Sequence, residues 1–268
     1  MVEYRKYMMD QISELLTNYG KIDIAFFDFT YKTLPTINQP SDYHSEEVLA
    51  LVRKLQPGII VNDRLGLSEY VGGWDMKTPE QVNLTKCPTF NGEEIYWETC
   101  QTFSGSWGYY RDEETWKSPR QLIGMLVESV SMKGNLLLNV GPTARGEFDW
   151  RAKERLAAMG EWMHFNSRSI YGCTAAPEDI PAPKGTCLTY NPDTRRLYVH
   201  ILEWPIKVLP IDFADKVAYA QLLHDGSEVE IKQPRNVAGQ LRTDIPASLI
   251  LPVKKPNVEI PVVEMFLK

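Results

Sequence analysis

Residues 4–172 of the sequence repeat one unit, a helical stripe of apolar residues followed by a short apolar run that ends in charged or polar residues. The clearest run is residues 22–28, IDIAFFD, with Gly20 before it and Pro35 after it. Its short length and the turn residues around it predict a buried strand rather than a helix. Helices that alternate with such strands form parallel sheets wound by βα units. The repeat therefore predicts an α/β architecture for this part of the chain.

Four such strands and four helices fit into this part of the sequence. A complete eight-stranded (β/α) barrel takes about 250 residues, so we expect only part of one, a partial TIM-like barrel. The strand ends that carry charge would meet at one edge of the sheet, where barrels carry their chemistry. The predicted strands cover residues 22–28, 59–61, 95–100 and 135–140, and the predicted helices cover residues 4–19, 46–56, 118–132 and 150–165.

The character of the sequence changes near residue 174. Helical periodicity ends, prolines become frequent, and short strand-like runs follow one another at the spacing of a small antiparallel β-sandwich. We therefore predict α/β plus all-β, with a partial-barrel catalytic domain at residues 1–173 and a β-sandwich domain at residues 174–268. The predicted strands cover residues 197–201, 217–223, 228–231, 249–253 and 262–267.

Composition excludes several classes of partner. The net charge of −6 argues against nucleic acid or an anionic membrane as the main partner. No apolar run approaches the roughly 20 residues that cross a bilayer, and the first residues lack the apolar core of a signal peptide. The four cysteines form no CxxC pair and the four histidines are scattered, so no metal site is predicted. We expect a cytoplasmic protein with reduced thiols.

Charged residues mark the ends of three predicted strands, at Asp28, Arg64 and Glu98, and Glu80 lies in the long Gly-, Pro- and Thr-rich passage of residues 65–92. Two carboxyl groups beside aromatic side chains are what hydrolysis of a glycosidic bond requires. Structural roles are the alternative. Asp28 would then cap a strand end, and Arg64 would form a salt bridge to Asp28 or Asp63. Glu98 would bond loop amides, and the aromatic side chains would only pack.

Several literal motifs resemble the α-L-fucosidases of glycoside hydrolase family 29. They occur in the family's order over residues 4–172, and residues 169–172 (SIYG) echo a later family motif. The family's two-domain layout also fits a β-sandwich after the catalytic part. The other motifs are LLTNYG ahead of residues 22–28, VNDR at 61–64, WETC at 97–100, SWGY at 106–109 and GNLLLNVGP at 134–142.

The resemblance implies roles for individual residues. Asp28 becomes the nucleophile of a retaining mechanism with a covalent fucosyl-enzyme, and Arg64 a hydrogen-bond donor to the sugar. Glu80 is the first choice for the acid/base because residues 75–80 resemble a D-x-x-T-x-E stretch, and Glu98 is the alternative. Trp107 and Phe26 are candidates for contacting the sugar, and the implied substrates are fucosylated oligosaccharides or glycosides. No cofactor or metal is implied.

The sequence also departs from the family pattern. Members carry, before the nucleophile strand, βα units that supply sugar-binding residues, and those units have no counterpart in residues 1–268. The resemblance therefore implies an N-terminally truncated family member that holds the C-terminal half of the barrel. A half barrel would expose sheet edges and an apolar interior. We expect a homo-oligomer in which a neighbouring chain covers the open half. The alternatives are an inactive or carbohydrate-binding remnant of a fucosidase, and one subunit of a split enzyme.

Overall fold

The structure is a computed structural model that describes residues 2–28, 30, 39–67, 72–242 and 244–268. The chain divides into two compact units. The first contains residues 1–80 and 87–98, and the second contains residues 81–86 and 99–268. Each unit is described by itself.

Parallel strands and two longer helices build the first unit. Its parallel pairing joins β1 to β2 through Ile24 and Ile60, and β3 to β6 through Lys77 and Trp97. A parallel bridge between Asn62 and Met76 connects the two pairs, so the strand order is β1-β2-β3-β6. The elements are α1 (Val2–Asn18), β1 (Ile24–Ala25), α2 (Pro40–Tyr43), α3 (Ser45–Leu55), β2 (Ile60–Val61), β3 (Met76–Lys77), β4 (Thr89–Phe90), β5 (Glu93–Glu94) and the first residues of β6 (Tyr96–Thr102).

The two faces of these strands differ in burial. On one face, Val61 and Trp97 are buried and the core includes apolar residues of α1 and α3. On the other face, Ile24 and Ile60 are 47% and 40% exposed, and Tyr96 is 80% exposed. Side chains alternate between the faces of a strand, so helices cover one face while the other lies open. Asp28, at the end of the predicted strand, lies on the open face.

The structure revises two details of the predicted half barrel. The passage at residues 65–92 was predicted as a loop, but it contains the strands β3 and β4. Met76 of β3 forms the parallel bridge to Asn62. The run at residues 22–28, predicted as one buried strand, forms regular pairing only at Ile24–Ala25 and is exposed on one side. The parallel strands follow the predicted α/β pattern, and the described residues do not form a closed barrel.

The second unit combines two helices with antiparallel sheets. One sheet has five strands in the order β12-β15-β10-β9-β8, and the other has three in the order β11-β14-β13. The elements are α4 (Pro119–Ser131), β7 (Asn135–Asn139), α5 (Trp150–Asn166), β8 (Thr174–Ala175), β9 (Thr186–Asn191), β10 (Arg196–Ile201), β11 (Val208–Ile211), β12 (Val217–Leu222), β13 (Glu230–Lys232), β14 (Ala247–Ile250) and β15 (Val262–Leu267).

Two of the buried apolar clusters in this unit contact the five-stranded sheet. One fills the space between the two antiparallel sheets, with Val199 of β10 and Leu249 of β14 fully buried. The other lies on the opposite face of the five-stranded sheet, where Val127 of α4 and Trp162 of α5 pack. Burial of apolar side chains on both faces explains why α4, α5 and the sheets form one compact unit. The antiparallel strands begin at Thr174, and the predicted domain boundary there stays a prediction.

His200 is a buried titratable group between the helices and the sheet. The Thr189 hydroxyl donates to the Ser169 carbonyl at 2.7 Å, so it accepts from His200 Nε2 at 2.9 Å. Nδ1 then carries no proton, and it has no hydrogen-bond partner among the described residues. Burial lowers the pKa of His200 to about 3.

We expect this histidine to weaken the fold in acid. Between the folded pKa of about 3 and an unfolded value of about 6.5, only the unfolded chain binds the proton, so stability falls as pH decreases through this window. His200 should contribute a slope of up to about 1.4 kcal/mol per pH unit. Urea unfolding between pH 7 and 4.5 should show a shallower slope for His200→Gln than for the unchanged protein. His164→Gln, at an exposed histidine, is the control, and an equal slope in all three would contradict the prediction.

Candidate active site

Arg64 brings together the two carboxylates that were assigned catalytic roles. It lies in a 3-10 turn, Asp63–Leu65, directly after β2, and only 14% of its side chain is exposed. Its Nη1 donates to Asp28 Oδ1 at 2.8 Å and to Glu80 Oε2 at 2.9 Å. Since both oxygens bond the same nitrogen, they are no more than about 5.7 Å apart, the sum of the two bond lengths. Three chain segments therefore converge on one guanidinium nitrogen.

Thr78 fixes the orientation of this guanidinium group. Arg64 Nε donates to Thr78 Oγ1 at 3.1 Å, and Nη2 donates to the Thr78 carbonyl at 3.0 Å. The Thr78 hydroxyl and amide both donate to Asp63 Oδ1, at 2.8 and 3.0 Å. Thr78 is 4% exposed, so water does not compete freely for these bonds. The contacts leave Nη1 directed at Asp28 and Glu80.

Asn62 positions the backbone next to Asp28. Its Oδ1 accepts from the Phe27 amide at 2.8 Å, and its Nδ2 donates to the Phe27 carbonyl at 2.9 Å. The Asn62 side-chain amide bonds the Phe27 backbone as a neighbouring strand would, with one donor and one acceptor. These two bonds extend the contact between β1 and β2 past their last paired residues. Asn62 is fully buried, so the end of the Asp28 segment is anchored.

The carboxylates are more accessible than the arginine that holds them. The side chains of Asp28 and Glu80 are 52% and 44% exposed. Phe26 is also exposed, and the Arg64 guanidinium carbon lies 5.3 Å from the centre of its ring. An open site with two carboxylates, a cation and an aromatic face can receive a polar, ring-shaped ligand.

Glu98 and Trp107, also assigned to the site, are placed less directly. Glu98 is partly buried on β6. Lys77 of β3 pairs with Trp97 of β6, so the same register continued by one residue places Glu98 beside Thr78. Burial raises the pKa of Glu98. Trp107 belongs to the second unit, where its carbonyl accepts from Asn139 Nδ2 at 2.7 Å. The roles assigned to all these residues stay predictions.

Asn62, Asp63 and Thr78 were not predicted as functional residues, although each is a short polar residue one or two positions before one that was. The signal in the sequence is their position. Two precede Arg64 in the VNDR motif and Thr78 occupies the threonine position of the D-x-x-T-x-E stretch. Only the contacts in the fold show that all three support Arg64 or Asp28.

Removing the Thr78 hydroxyl should destabilise the first unit. Thr78→Val keeps the shape but leaves Arg64 Nε and Asp63 Oδ1 without this partner in a buried setting, which costs about 1–3 kcal/mol. The measurement is the free energy of unfolding in urea. Thr194→Val, at an exposed threonine, is the control and should change it by less than about 0.5 kcal/mol. Equal effects of the two substitutions would contradict the prediction.

No group of three or more His, Cys, Asp or Glu side chains within the described ranges is placed to hold a metal ion. None of the helices in the described part of the chain has the length and apolar character to cross a membrane.

Parallel strands with two carboxylates at their carboxyl ends define the kind of site found in glycoside hydrolases. The profile of the α-L-fucosidase family matches residues 1–168. The chain belongs to this family, the α-L-fucosidases of glycoside hydrolase family 29. Its sequence is 37% identical over 114 residues to the plasma α-L-fucosidase of Rattus norvegicus and 30% identical over 210 residues to the tissue α-L-fucosidase of Mus musculus.

Solved structures agree with this assignment. α-L-Fucosidase isoenzyme 1 from Paenibacillus thiaminolyticus superposes with a TM-score of 0.86 at 33% identity, covering 100% of this chain and 63% of that one. The Thermotoga maritima α-fucosidase, in complex with a mechanism-based inhibitor, superposes with a TM-score of 0.73 at 26% identity, covering 99% of this chain and 57% of that one. The rat and mouse relatives are matched over 41% and 74% of this chain, which spans 25% and 42% of their own lengths.

Proposed function

We propose that the protein hydrolyses terminal α-L-fucosides with retention of configuration. The observation that carries this proposal is the pair of bonds from Arg64 Nη1 to Asp28 and Glu80. It holds two carboxylates of a family member at a short separation. Retaining glycosidases have carboxyl groups about 5–5.5 Å apart, whereas inverting enzymes leave about 6.5–9.5 Å for a water molecule. The upper bound of about 5.7 Å between the bonded oxygens favours retention.

In this proposal Asp28 is the nucleophile. Its carboxylate attacks the anomeric carbon of fucose and forms a glycosyl ester while the bond to the leaving oxygen breaks. Glu80 gives its proton to that oxygen, so the aglycone departs as an alcohol. Water then attacks the same carbon, Glu80 takes a proton from it, and Asp28 is released as a carboxylate. Glu98 remains the alternative acid/base.

Arg64 must move, or Glu80 must leave it, during this cycle. Nη1 lies within hydrogen-bond distance of both carboxylates, in the space that the anomeric carbon and the leaving oxygen would occupy. We therefore propose that substrate displaces the Glu80–Arg64 bond. The Thr78 contacts retain the arginine next to the site, from which it donates to a sugar hydroxyl group.

We further propose that a second copy of the chain covers the open strand face. Ile24, Phe26 and Ile60 expose apolar surface there, next to Asp28, and water penalises such a patch. The partner would exclude water from the site and add contacts to fucose. We place the protein in the cytoplasm, where the four free cysteines would stay reduced.

The decisive experiment measures activity and oligomeric state in the same buffer. The purified chain should release nitrophenol from an aryl α-L-fucoside and should run as an oligomer in light scattering. A monomer that hydrolyses the substrate would refute the covering by a second copy. If the protein binds fucose measurably but does not turn over the substrate, a carbohydrate-binding function is favoured. The observation behind this second candidate is that Arg64 bonds both carboxylates and so lies between them. Turnover that requires an added family N-terminal fragment would favour a split enzyme.

A further inference from the structure

An ion pair in the first unit joins helix α3 to the starts of β2 and β3, at the end of these strands opposite to the candidate site. Arg53 of α3 donates through Nη2 to Asp75 Oδ2 at 2.6 Å and through Nη1 to the Ile59 carbonyl. Ile59 directly precedes β2, and Asp75 directly precedes β3. The Arg53 and Asp75 side chains are 28% and 40% exposed. One guanidinium group therefore ties the starts of both strands to the helix.

The Asp75 carboxylate also sets the register between these strands. Its Oδ2 accepts from the Val61 amide at 2.7 Å, and the Asp75 amide donates to the Val61 carbonyl at 2.7 Å. The next residue, Met76, forms the parallel bridge to Asn62. Val61 and Asn62 are fully buried, so water does not compete freely for the bonds they make. Asp75 therefore fixes which residue of β3 lies beside which residue of β2.

This register determines what lies at the other end of β3. Thr78, which directs Arg64, comes three residues after Asp75, and two residues later comes Glu80. Side chains alternate between the faces of a strand, so a slip of one residue would turn Thr78 away from Asp63 and Arg64. The Glu80 carboxylate would then stand at a different distance from the opposite carboxylate. β3 has only two regular residues, so few other ladder bonds resist such a slip.

We propose that Asp75 is a positioning residue for the acid/base. Its carboxylate acts from the far end of β3 and sets where Glu80 stands relative to Asp28. This role rests on the proposed function, in which Glu80 gives a proton to the leaving oxygen. A misplacement of about 1 Å can cost about 10²-fold in rate. A displaced Asp75 carboxylate should therefore slow proton transfer, lowering kcat more than it changes KM.

Two conservative substitutions separate the position of the Asp75 oxygen from its charge. Asp75→Asn keeps an oxygen acceptor at the same distance from the backbone, so kcat should fall by no more than about threefold. Asp75→Glu keeps the charge but moves the oxygen one carbon further out. With a fucoside that has a poor leaving group, its kcat should fall at least about tenfold. A dinitrophenyl fucoside needs no proton on its leaving group, so its kcat should fall less than about threefold.

Asp10→Asn is the matched control. Asp10 is an exposed aspartate of the same unit that pairs with Lys6 within α1. This variant should turn over both fucosides at the rate of the unchanged chain. A loss of stability alone would lower both rates by the same factor, so the contrast between the two fucosides reports on proton transfer.

A second readout does not depend on turnover. Arg64 Nε donates to Thr78 Oγ1, and Arg64→Lys identifies the NMR signal of this N–H by its loss. Its hydrogen exchange with water should quicken at least about fivefold in Asp75→Glu and change less than about twofold in Asp75→Asn.

Three outcomes would overturn the proposal. They are an absence of the leaving-group contrast in Asp75→Glu, an equal loss of kcat in Asp75→Asn, and an Arg64 exchange rate that is the same in all variants. If the unchanged chain does not turn over either fucoside, the proposed function fails, and the Arg64 signal then decides the positioning role. Faster exchange in Asp75→Glu alone would support control of the register by Asp75, and equal exchange would refute it.

Discussion

Asp28→Ala should reduce hydrolysis of an aryl α-L-fucoside by at least about 10⁴-fold, because in the proposed mechanism the Asp28 carboxylate forms the covalent intermediate. Asp28 is half exposed, so its loss should not unfold the first unit. The measurement is kcat/KM for nitrophenol release, with the unfolding free energy determined in parallel. Asp23→Ala is the control, since Asp23 is an exposed aspartate of the same segment that pairs only with Lys21 among the described residues.

A second measurement separates loss of the nucleophile from general damage. Azide can enter the space that the removed carboxylate leaves and attack the anomeric carbon directly. Activity should then return with azide concentration and yield a fucosyl azide of inverted configuration, because only one displacement takes place. An Asp28→Ala protein that keeps a tenth or more of its activity would contradict the assignment of Asp28.

Glu80→Gln and Glu98→Gln should separate the two candidates for the acid/base. Without a proton donor, hydrolysis of a fucoside with a poor leaving group should slow by about 10²–10⁴-fold. A dinitrophenyl fucoside needs no proton on its leaving group, so its first step should change little. We expect this contrast between substrates for Glu80→Gln, measured as the ratio of the two kcat/KM values.

Glu98→Gln should lower both rates by a similar factor if Glu98 only shapes the site. The pH profile adds an independent readout, because loss of the acid/base should remove the alkaline limb of kcat/KM. If Glu98→Gln shows the leaving-group contrast and Glu80→Gln does not, the assignment is reversed. The raised pKa of Glu98, which results from its burial, makes this reversal a definite alternative.

Much of the fold follows from patterns that act over a few residues. The helices of the α/β part lie close to their predicted positions because their apolar stripes are strong, and Ser118 caps α4 as an N-terminal serine should. β10 and β15 also match the predicted runs. β3 was missed because it has only two residues, Met76 and Lys77, which carry no local strand signal. Its strand character comes from pairing with Tyr96 and Trp97, which are distant in the sequence.

The candidate site, too, could be predicted only in part from local sequence patterns. Motifs pointed to Asp28, Arg64 and Glu80, and all three meet in the structure. A salt bridge from Arg64 to Asp28 was the structural alternative, but no local pattern indicated that the same nitrogen of Arg64 would also bond Glu80, or that Thr78 would direct it. These contacts join residues 36, 16 and 14 positions apart, and they exist only because β1, β2 and β3 lie side by side.

The amino-acid order alone therefore indicated the family, the alternation of helices and strands, and the candidate residues for the chemistry, since these depend on local periodicity and on literal motifs. The tertiary structure decided which groups share a hydrogen bond and which strand face stays open. Both outcomes depend on contacts between segments that are far apart in the chain, and these contacts form only when the sheet is assembled. Asp28 was a charged strand end in the sequence. In the fold it is half of a carboxylate pair held by Arg64.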